Sequence, residues 1–309
     1  MLDLAIVIVN FNTQALLRDC LRSVFASEGD FTYRVCIVDN ASSDGSAEMV
    51  RAEFPQVDLI ANSENVGYPR ANNQGLRHFG FNDVGSQPHS RSEHDSIRLP
   101  RYILLLNPDT VLPPTALREM MSFMDARPDC GIAGPKLVRQ DGSLDLACRR
   151  SFPTPEISFW RMVGMSRLFP RHPRFGRYNL THLDPDVLTE VDSVVGAFMM
   201  VRREAILQVG LLDEAFFMYG EDLDWAYRVK QQGWRVWYNP AVTVLHYKAA
   251  SSKHSERAQH EFYRAMTIFY RKHYAATTPW PLHWFILGGI AMRGSLVLLG
   301  RRLRQWKLM

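Results

Sequence analysis

Four short apolar runs, each closing on a polar cluster, set the limits on what this chain can fold into. Residues 4–9 end at Asn10-Phe11-Asn12, residues 34–38 at Asp39-Asn40, residues 57–61 at Asn62, and residues 102–106 at Asn107-Pro108-Asp109. Continuous aliphatic runs of this length read as strands covered on both faces. Amphipathic stretches alternate with them. Leu16, Leu17, Leu21, Val24 and Phe25 recur at helical spacing behind Thr13, which is placed to cap that helix. A second helix opens at Ser43 or Asp44 and runs to Phe54. Strand, helix, strand in repetition predicts an α/β fold built on a mostly parallel sheet with right-handed crossovers. The polar clusters then gather on one rim, beyond the carboxyl ends of the strands, where open α/β sheets bind their ligands.

That rim is the expected nucleotide site. Asp39, one residue past a strand, can accept from a base or ribose donor, although an Asx-turn is its ordinary use. No GxGxxG loop follows the first strand, so a dinucleotide fingerprint is absent. In Asn65-Val-Gly67-Tyr-Pro-Arg70-Ala-Asn72, Gly67 permits a positive φ or a close backbone approach, and Arg70 could reach a phosphate. Asn72 falls further along a helix from the same segment. Pro108 removes a backbone donor and stops pairing, which presents Asp109 at an edge. Residues 82–100 are polar, with clustered His, Ser and Asp, and read as an exposed insertion.

The second half of the chain adds acids and one histidine. A helix is expected at residues 115–126, a strand at 131–138, and a hairpin-type turn at 140–143. Residues 149–178, rich in proline, aromatics and arginine, show no regular period. An apolar run at 191–201 is broken by Gly196-Ala197. In Gly220-Glu221-Asp222-Leu-Asp224-Trp-Ala-Tyr-Arg228 a helix starts near Glu221, and Asp224 with Arg228 makes an i,i+4 pair. Asp222 is less easily explained, because three acids crowded among Phe216, Phe217, Tyr219 and Trp225 invite desolvation and mutual repulsion. Such crowding raises a carboxylate's affinity for protons, as a general base requires. Two more strands, 235–238 and 242–246, lead to His246, a residue type that is usually structural in such a place.

The four cysteines, Cys20, Cys36, Cys130 and Cys148, form no CxxC and no zinc spacing, and suit a reducing cytoplasm. Asp3 stands where a secretory leader needs positive charge, so the first apolar run is taken as a strand. A net charge of +4 is too mild to indicate nucleic acid, and none is expected as a partner. Its distribution is more telling. No Asp or Glu occurs from Phe262 to Met309, while Arg264, Arg271, Lys272, Arg293, Arg301, Arg302, Arg304 and Lys307 are basic. With Trp280, Trp284 and Trp306, this tail suits the interface of an anionic cytoplasmic leaflet; packing on the domain or on a second copy, as a homodimer, is the alternative. Gly288, Gly289 and Arg293 speak against a spanning helix at 280–300.

Together these stretches resemble the glycosyltransferase family 2 enzymes of GT-A fold, in particular the bacterial rhamnosyltransferase-like branch. The pieces are Val-Ile-Val-Asn10-Phe-Asn12, Val-Asp39-Asn-Ala-Ser-Ser-Asp44-Gly, Asn65-Val-Gly-Tyr-Pro-Arg-Ala-Asn72, Leu-Asn107-Pro-Asp109, Gly-Glu221-Asp222-Leu-Asp224-Trp and His246. The resemblance implies a Rossmann-like GT-A domain over residues 1–250, with 251–309 as a helical, membrane-associating extension. It implies that Asp39 binds the base, that Asn10 and Asn12 contact the nucleoside, and that Asn65, Gly67, Arg70, Asn72 and Asn107 complete the donor side. Asp109, last residue of the family's DxD motif, would bind Mg²⁺ or Mn²⁺ with His246 as second ligand. Asp222, with Glu221 beside it, would be the catalytic base. Asn107 stands where many relatives carry Asp, leaving one charge fewer near the diphosphate.

The expected reaction is a single displacement that inverts the anomeric carbon, from a dTDP- or UDP-sugar, dTDP-rhamnose first, to a hydroxyl of a lipid-linked saccharide at the cytoplasmic face of the membrane. A metal acting as Lewis acid stabilises the departing diphosphate. Two rivals are a sugar-phosphate nucleotidyltransferase and a non-catalytic sugar-nucleotide or glycan-binding module. The first typically carries a Gly-rich loop after its first strand, where Asn10-Phe-Asn-Thr13 stands here.

Overall fold

The computed structural model describes residues 2–82, 99–248 and 256–306. Most of the expected 82–100 insertion lies outside the described residues.

The first three strands form as the apolar runs require: β1 (Leu4–Asn10), β2 (Tyr33–Asp39) and β3 (Asp58–Ala61), pairing in parallel with β4 (Tyr102–Leu106) on the far side of β1. Every residue of β1 and β4 is buried, as two-sided coverage demands. Helices α1 (Gln14–Phe25), α2 (Ser46–Glu53) and α3 (Tyr68–His78) connect or cover these strands. Helix α3 packs on β1 and β2 at Gly75, where a Cβ would come within 2.5 Å of the Val7 side chain. Thr13 does not cap α1. Its hydroxyl donates to Asn10 Oδ1 at 2.6 Å, and the first amide of the helix, Gln14 N, donates instead to Asp44 Oδ2 at 2.8 Å.

The remaining strands are β5 (Thr110–Val111), β6 (Cys130–Val138), β7 (Thr189–Val191), β8 (Phe198–Arg202) and β9 (Arg235–His246). They complete a nine-stranded sheet of order β3-β2-β1-β4-β8-β6-β9-β5, with β7 also on β9. The sheet is mostly parallel, as expected, but three of its strands are reversed. β8 runs antiparallel between β4 and β6, and β5 and β7 are antiparallel to β9, so the sheet is mixed. An apolar run fixes that a segment is buried but not its direction. The two strands expected at 235–238 and 242–246 are one, β9, whose register against β6 shifts beside Pro240.

Helices α4 (Ala116–Asp125), α7 (Arg203–Val209) and α8 (Glu221–Gln231) pack on the sheet. The aperiodic segment at 149–178 holds two short helices, α5 (Pro155–Met162) and α6 (Met165–Leu168). In the extension, α9 (Glu256–His273) docks on α8, while α10 (Trp280–Trp306) runs unbroken through Gly288, Gly289 and Arg293. Asp224 fastens α9 to α8, accepting from His273 Nε2 and Lys272 Nζ, each at 2.8 Å, as well as from Arg228 Nε at 2.9 Å. The i,i+4 pair therefore forms, and the extension is packed against the body rather than standing apart. Among the described residues no helix is long and apolar enough to cross a membrane.

Candidate active site

A cleft of about 1180 Å³ opens at the carboxyl-end rim of β1, β2 and β4. Among the residues expected at a site, Asn65, Gly67, Asn107, Asp109, Glu221, Asp222 and His246 line it.

At one end, β5 pairs antiparallel with the end of β9, placing Thr110 opposite His246. This brings His246 Nε2 to 3.3 Å from Asp109 Oδ1, and the Tyr247 amide donates to the Asp109 carbonyl at 2.9 Å. The other ring nitrogen, His246 Nδ1, lies 2.9 Å from Asp145 Oδ2, and Lys248 Nζ donates to Asp145 Oδ1 at 2.7 Å. His246 and Asp145 are both buried. Burial opposes protonation of the imidazole, but its hydrogen bonds with Asp109 and Asp145 outweigh that and raise it to about 9. For Asp145, burial is likewise overcome, and the bonds from His246 and Lys248 hold its carboxyl far below the usual range. Asp145 and Lys248 were not singled out by the sequence. Lys248 carried a faint signal, two residues beyond His246; Asp145 follows a hairpin turn with nothing to mark it.

A carboxylate oxygen and an imidazole nitrogen converging at this spacing fit a divalent cation that takes its other ligands from a diphosphate and water. Among the described residues no group of three or more His, Cys, Asp and Glu is arranged to hold a metal.

In the middle of the cleft, Gly220 adopts a left-handed conformation at the start of α8, and Glu221 and Asp222 follow in its first turn, both buried. Asp222 Oδ2 accepts from Arg150 Nη2 at 2.7 Å and from the Gly196 amide at 3.1 Å; Oδ1 accepts from Leu223 N at 2.7 Å. Arg150 is itself buried and also bonds the Val194 carbonyl at 2.7 Å. This guanidinium arrives from the arginine-rich segment. The effect of crowding shows at Glu221. Burial, then Asp222 beside it, pushes the Glu221 carboxyl well above the carboxylate range, and its Oε2 has no hydrogen-bond partner among the described residues. Across from these acids, the Tyr68 hydroxyl donates toward Asn107 Oδ1 at 3.2 Å and the Gly196 carbonyl at 3.1 Å. Burial, then Glu221, pushes that phenol up, so it remains a donor.

The other donor-side residues stand behind the wall rather than in it. Asn10 Nδ2 donates to Asp39 Oδ1 at 2.8 Å, and Ser42 N to Asp39 Oδ2 at 2.9 Å, which ties together the ends of β1 and β2. Asn12, at φ 53°, accepts from Ser43 N at 2.8 Å. Val9, Phe11, Thr13 and Asn40, their neighbours, face the cleft. Arg70 leans away onto Glu214 at 3.0 Å, and Asn72 lies buried in α3, its amide on the Tyr68 carbonyl at 2.9 Å.

The family model for "Glycosyltransferase like family 2" matches residues 3–262. The chain is 29% identical over 281 residues to the N-acetylglucosaminyl-diphospho-decaprenol L-rhamnosyltransferase of Mycobacterium tuberculosis, covering 89% of this chain and 87% of that one. It is 30% identical over 150 residues to rhamnosyltransferase WbbL of Escherichia coli, covering 47% of this chain and 52% of that one. Among solved structures, the mannosyltransferase PcManGT from Pyrobaculum calidifontis, in complex with GDP-Man and Mn²⁺, superposes with a TM-score of 0.55 at 15% identity, covering 99% of this chain and 83% of the other. The nucleotidyltransferase and binding-module readings are thereby set aside: the chain belongs to the glycosyltransferase-like family 2, alongside its rhamnosyltransferase-like members.

Proposed function

We propose that this glycosyltransferase moves a sugar from a nucleoside diphosphate, dTDP-rhamnose first and UDP-hexoses next, to a hydroxyl of a lipid-linked saccharide, with inversion, at the cytoplasmic face of a membrane. The observation that carries the reading is the meeting of Asp109 and His246 at 3.3 Å in the cleft that also holds Asp222. Relatives named for rhamnosyl transfer, one of them to a decaprenol-linked acceptor, support the choice of donor and acceptor class.

Asp109 and His246 would hold Mg²⁺ or Mn²⁺, which when bound supplies Lewis-acid stabilisation to the departing diphosphate. Asp145 fixes the imidazole from behind, so that Nε2 faces Asp109. Lys248 adds a cationic group at the same end. Asp222, oriented by Arg150 and the Gly196 amide, accepts the proton of the acceptor hydroxyl as that oxygen attacks the anomeric carbon. One displacement needs no covalent sugar-enzyme species.

The test is a thermal-shift screen of nucleotide sugars with and without Mn²⁺, followed by NMR of the product's anomeric configuration. The expected result is metal-dependent stabilisation by one donor and an inverted product. A metal-independent response would refute the roles given to Asp109 and His246, and a retained configuration would refute the single displacement.

A further inference from the structure

Beyond Glu221 and Asp222 the cleft continues to a mouth walled by α5, α6, α9 and α10. Four arginines line that mouth, one from each helix: Arg161, Arg167, Arg257 and Arg293. Among the described residues none of the four is in an ion pair. Arginines just outside it are neutralised: Arg264 on α9 pairs with Glu261 at 3.0 Å, and Arg174 takes Glu156 at 2.6 Å. Aromatic faces position two of the four. The Arg161 guanidinium lies 4.1 Å from the ring centre of Tyr178, and that of Arg257 4.1 Å from the ring centre of Phe217. Such stacking leaves the edge donors of a guanidinium free for an anion, and that planar fork matches phosphate oxygens bidentately.

The transfer reading already gives the donor's diphosphate to Asp109, His246 and Lys248, which belong to other elements of the lining. The arginines therefore address a second anion, on the acceptor side of the catalytic carboxylates. What lies beside them is apolar. Met162, Phe262 and Met266 line the mouth, and outside it Trp284, Phe285 and Met292 on α10 are 65%, 68% and 64% exposed. A helix that gives Arg293 to a cationic lining and also exposes apolar side chains suits a ligand with an anionic head and a hydrocarbon tail.

Resting on the transfer reading above, we propose that this mouth is the acceptor's anchoring subsite and takes a long-chain apolar diphosphate ester. Its diphosphate sits on Arg161, Arg257 and Arg293, its tail runs along the exposed strip of α10, and its saccharide reaches inward to Asp222.

The test is direct binding to the full-length protein, with the donor end filled by saturating Mn²⁺ and dTDP or UDP. Farnesyl diphosphate is compared by calorimetry with farnesol and with inorganic pyrophosphate. Farnesyl diphosphate is expected to bind at least about tenfold tighter than either, because each lacks one half of the match. The Arg161→Gln/Arg293→Gln variant should lose at least about tenfold of that affinity, with the nucleotide thermal shift unchanged, and the Arg→Lys pair should recover part of it. Equal affinity in wild type and variant overturns the proposal, as does pyrophosphate binding as tightly as the ester. A parallel arm uses phosphatidylglycerol vesicles. Arginine-dependent vesicle binding without farnesyl diphosphate binding would make the site a bilayer headgroup contact, which also overturns it. A nucleotide response without farnesyl diphosphate binding strikes this proposal alone, whereas loss of the nucleotide response in the wild type strikes the transfer reading.

Discussion

Asp145 Oδ2 lies 2.9 Å from His246 Nδ1, on the side of the ring away from Asp109. The carboxylate thereby decides which ring nitrogen keeps its proton, and it leaves Nε2 to face the cleft. Partners behind a liganding imidazole commonly carry about 10- to 100-fold of metal affinity. Asp145→Asn is expected to weaken Mn²⁺ binding by that order in the presence of a nucleoside diphosphate, read by the loss of free-Mn²⁺ signal in electron paramagnetic resonance. Unchanged binding would show that the imidazole is held by its strand alone.

Asp222 and Glu221 are adjacent, yet their surroundings part them. Asp222 is held by Arg150 at 2.7 Å, while one oxygen of Glu221 has no partner and its carboxyl is pushed up by burial. If Asp222 takes the acceptor's proton, Asp222→Asn lowers kcat by at least about a hundredfold and leaves nucleotide binding intact. Steady-state kinetics beside a donor-binding isotherm separates the two effects. A loss confined to KM would move the residue from chemistry to binding.

Glu221→Gln is the complementary experiment. A buried carboxyl whose folded-state affinity for protons exceeds its unfolded one costs stability once pH rises above its ordinary range. A neutral amide removes that cost. The variant should melt at or above the wild-type temperature at pH 7, by up to about 4 °C if it gains about 1 kcal/mol. Calorimetric scans at pH 5 and pH 8 should show the advantage growing with pH, and a lower melting temperature at both would contradict it.

The residues legible in the sequence share a position: each sits where a regular element ends. Asp39 closes β2, Asp109 follows β4, Asp222 opens a helix and His246 closes β9; apolar period and turn chemistry located those ends, while only the family resemblance joined Asp222 and His246 to the site. Arg150 and Asp145 escaped because they come from irregular chain between β6 and β7, where only tertiary packing decides direction. The same blindness applied to β8, whose burial was written in its composition but whose antiparallel course was not. Arg70 and Asn72 erred differently. Helical spacing located them on α3, but the face they turn is set by Glu214 and by the sheet beneath.

Gly67 joins the donor side to the loop before α8. It sits at φ 91°, and a Cβ there would stand 2.7 Å from the Phe217 carbonyl oxygen, which also accepts from the Tyr68 amide at 2.8 Å. Gly67→Ala must therefore strain the backbone and push Phe217 away, at a cost of about 1–3 kcal/mol. Urea unfolding gives the stability change. Because Phe217 borders the cleft, donor affinity should fall as well. A destabilised variant with native donor affinity would mean that the loop before α8 moves independently of the nucleotide.

Asp224 supplies the pH dependence that fastens the extension to the body. Its fully buried carboxylate receives His273, Lys272 and Arg228, and although burial opposes ionisation these partners hold it down at about 2. With the folded-state value below the ordinary 3.8, the contribution is present in full above about pH 4 and fades as pH falls toward 2. Removing the charge strands Lys272 and Arg228 around an amide, so Asp224→Asn should cost about 2–4 kcal/mol at pH 7. Wild type and variant unfolded in urea at pH 7, 5, 4 and 3 should differ by a constant amount down to about pH 4 and by progressively less below it. A gap that stays the same at pH 3 would place the loss in packing rather than in charge. Since His273 and Lys272 belong to α9, the same variant should expose the α8–α9 junction to protease at pH 7, a cleavage absent from the wild type.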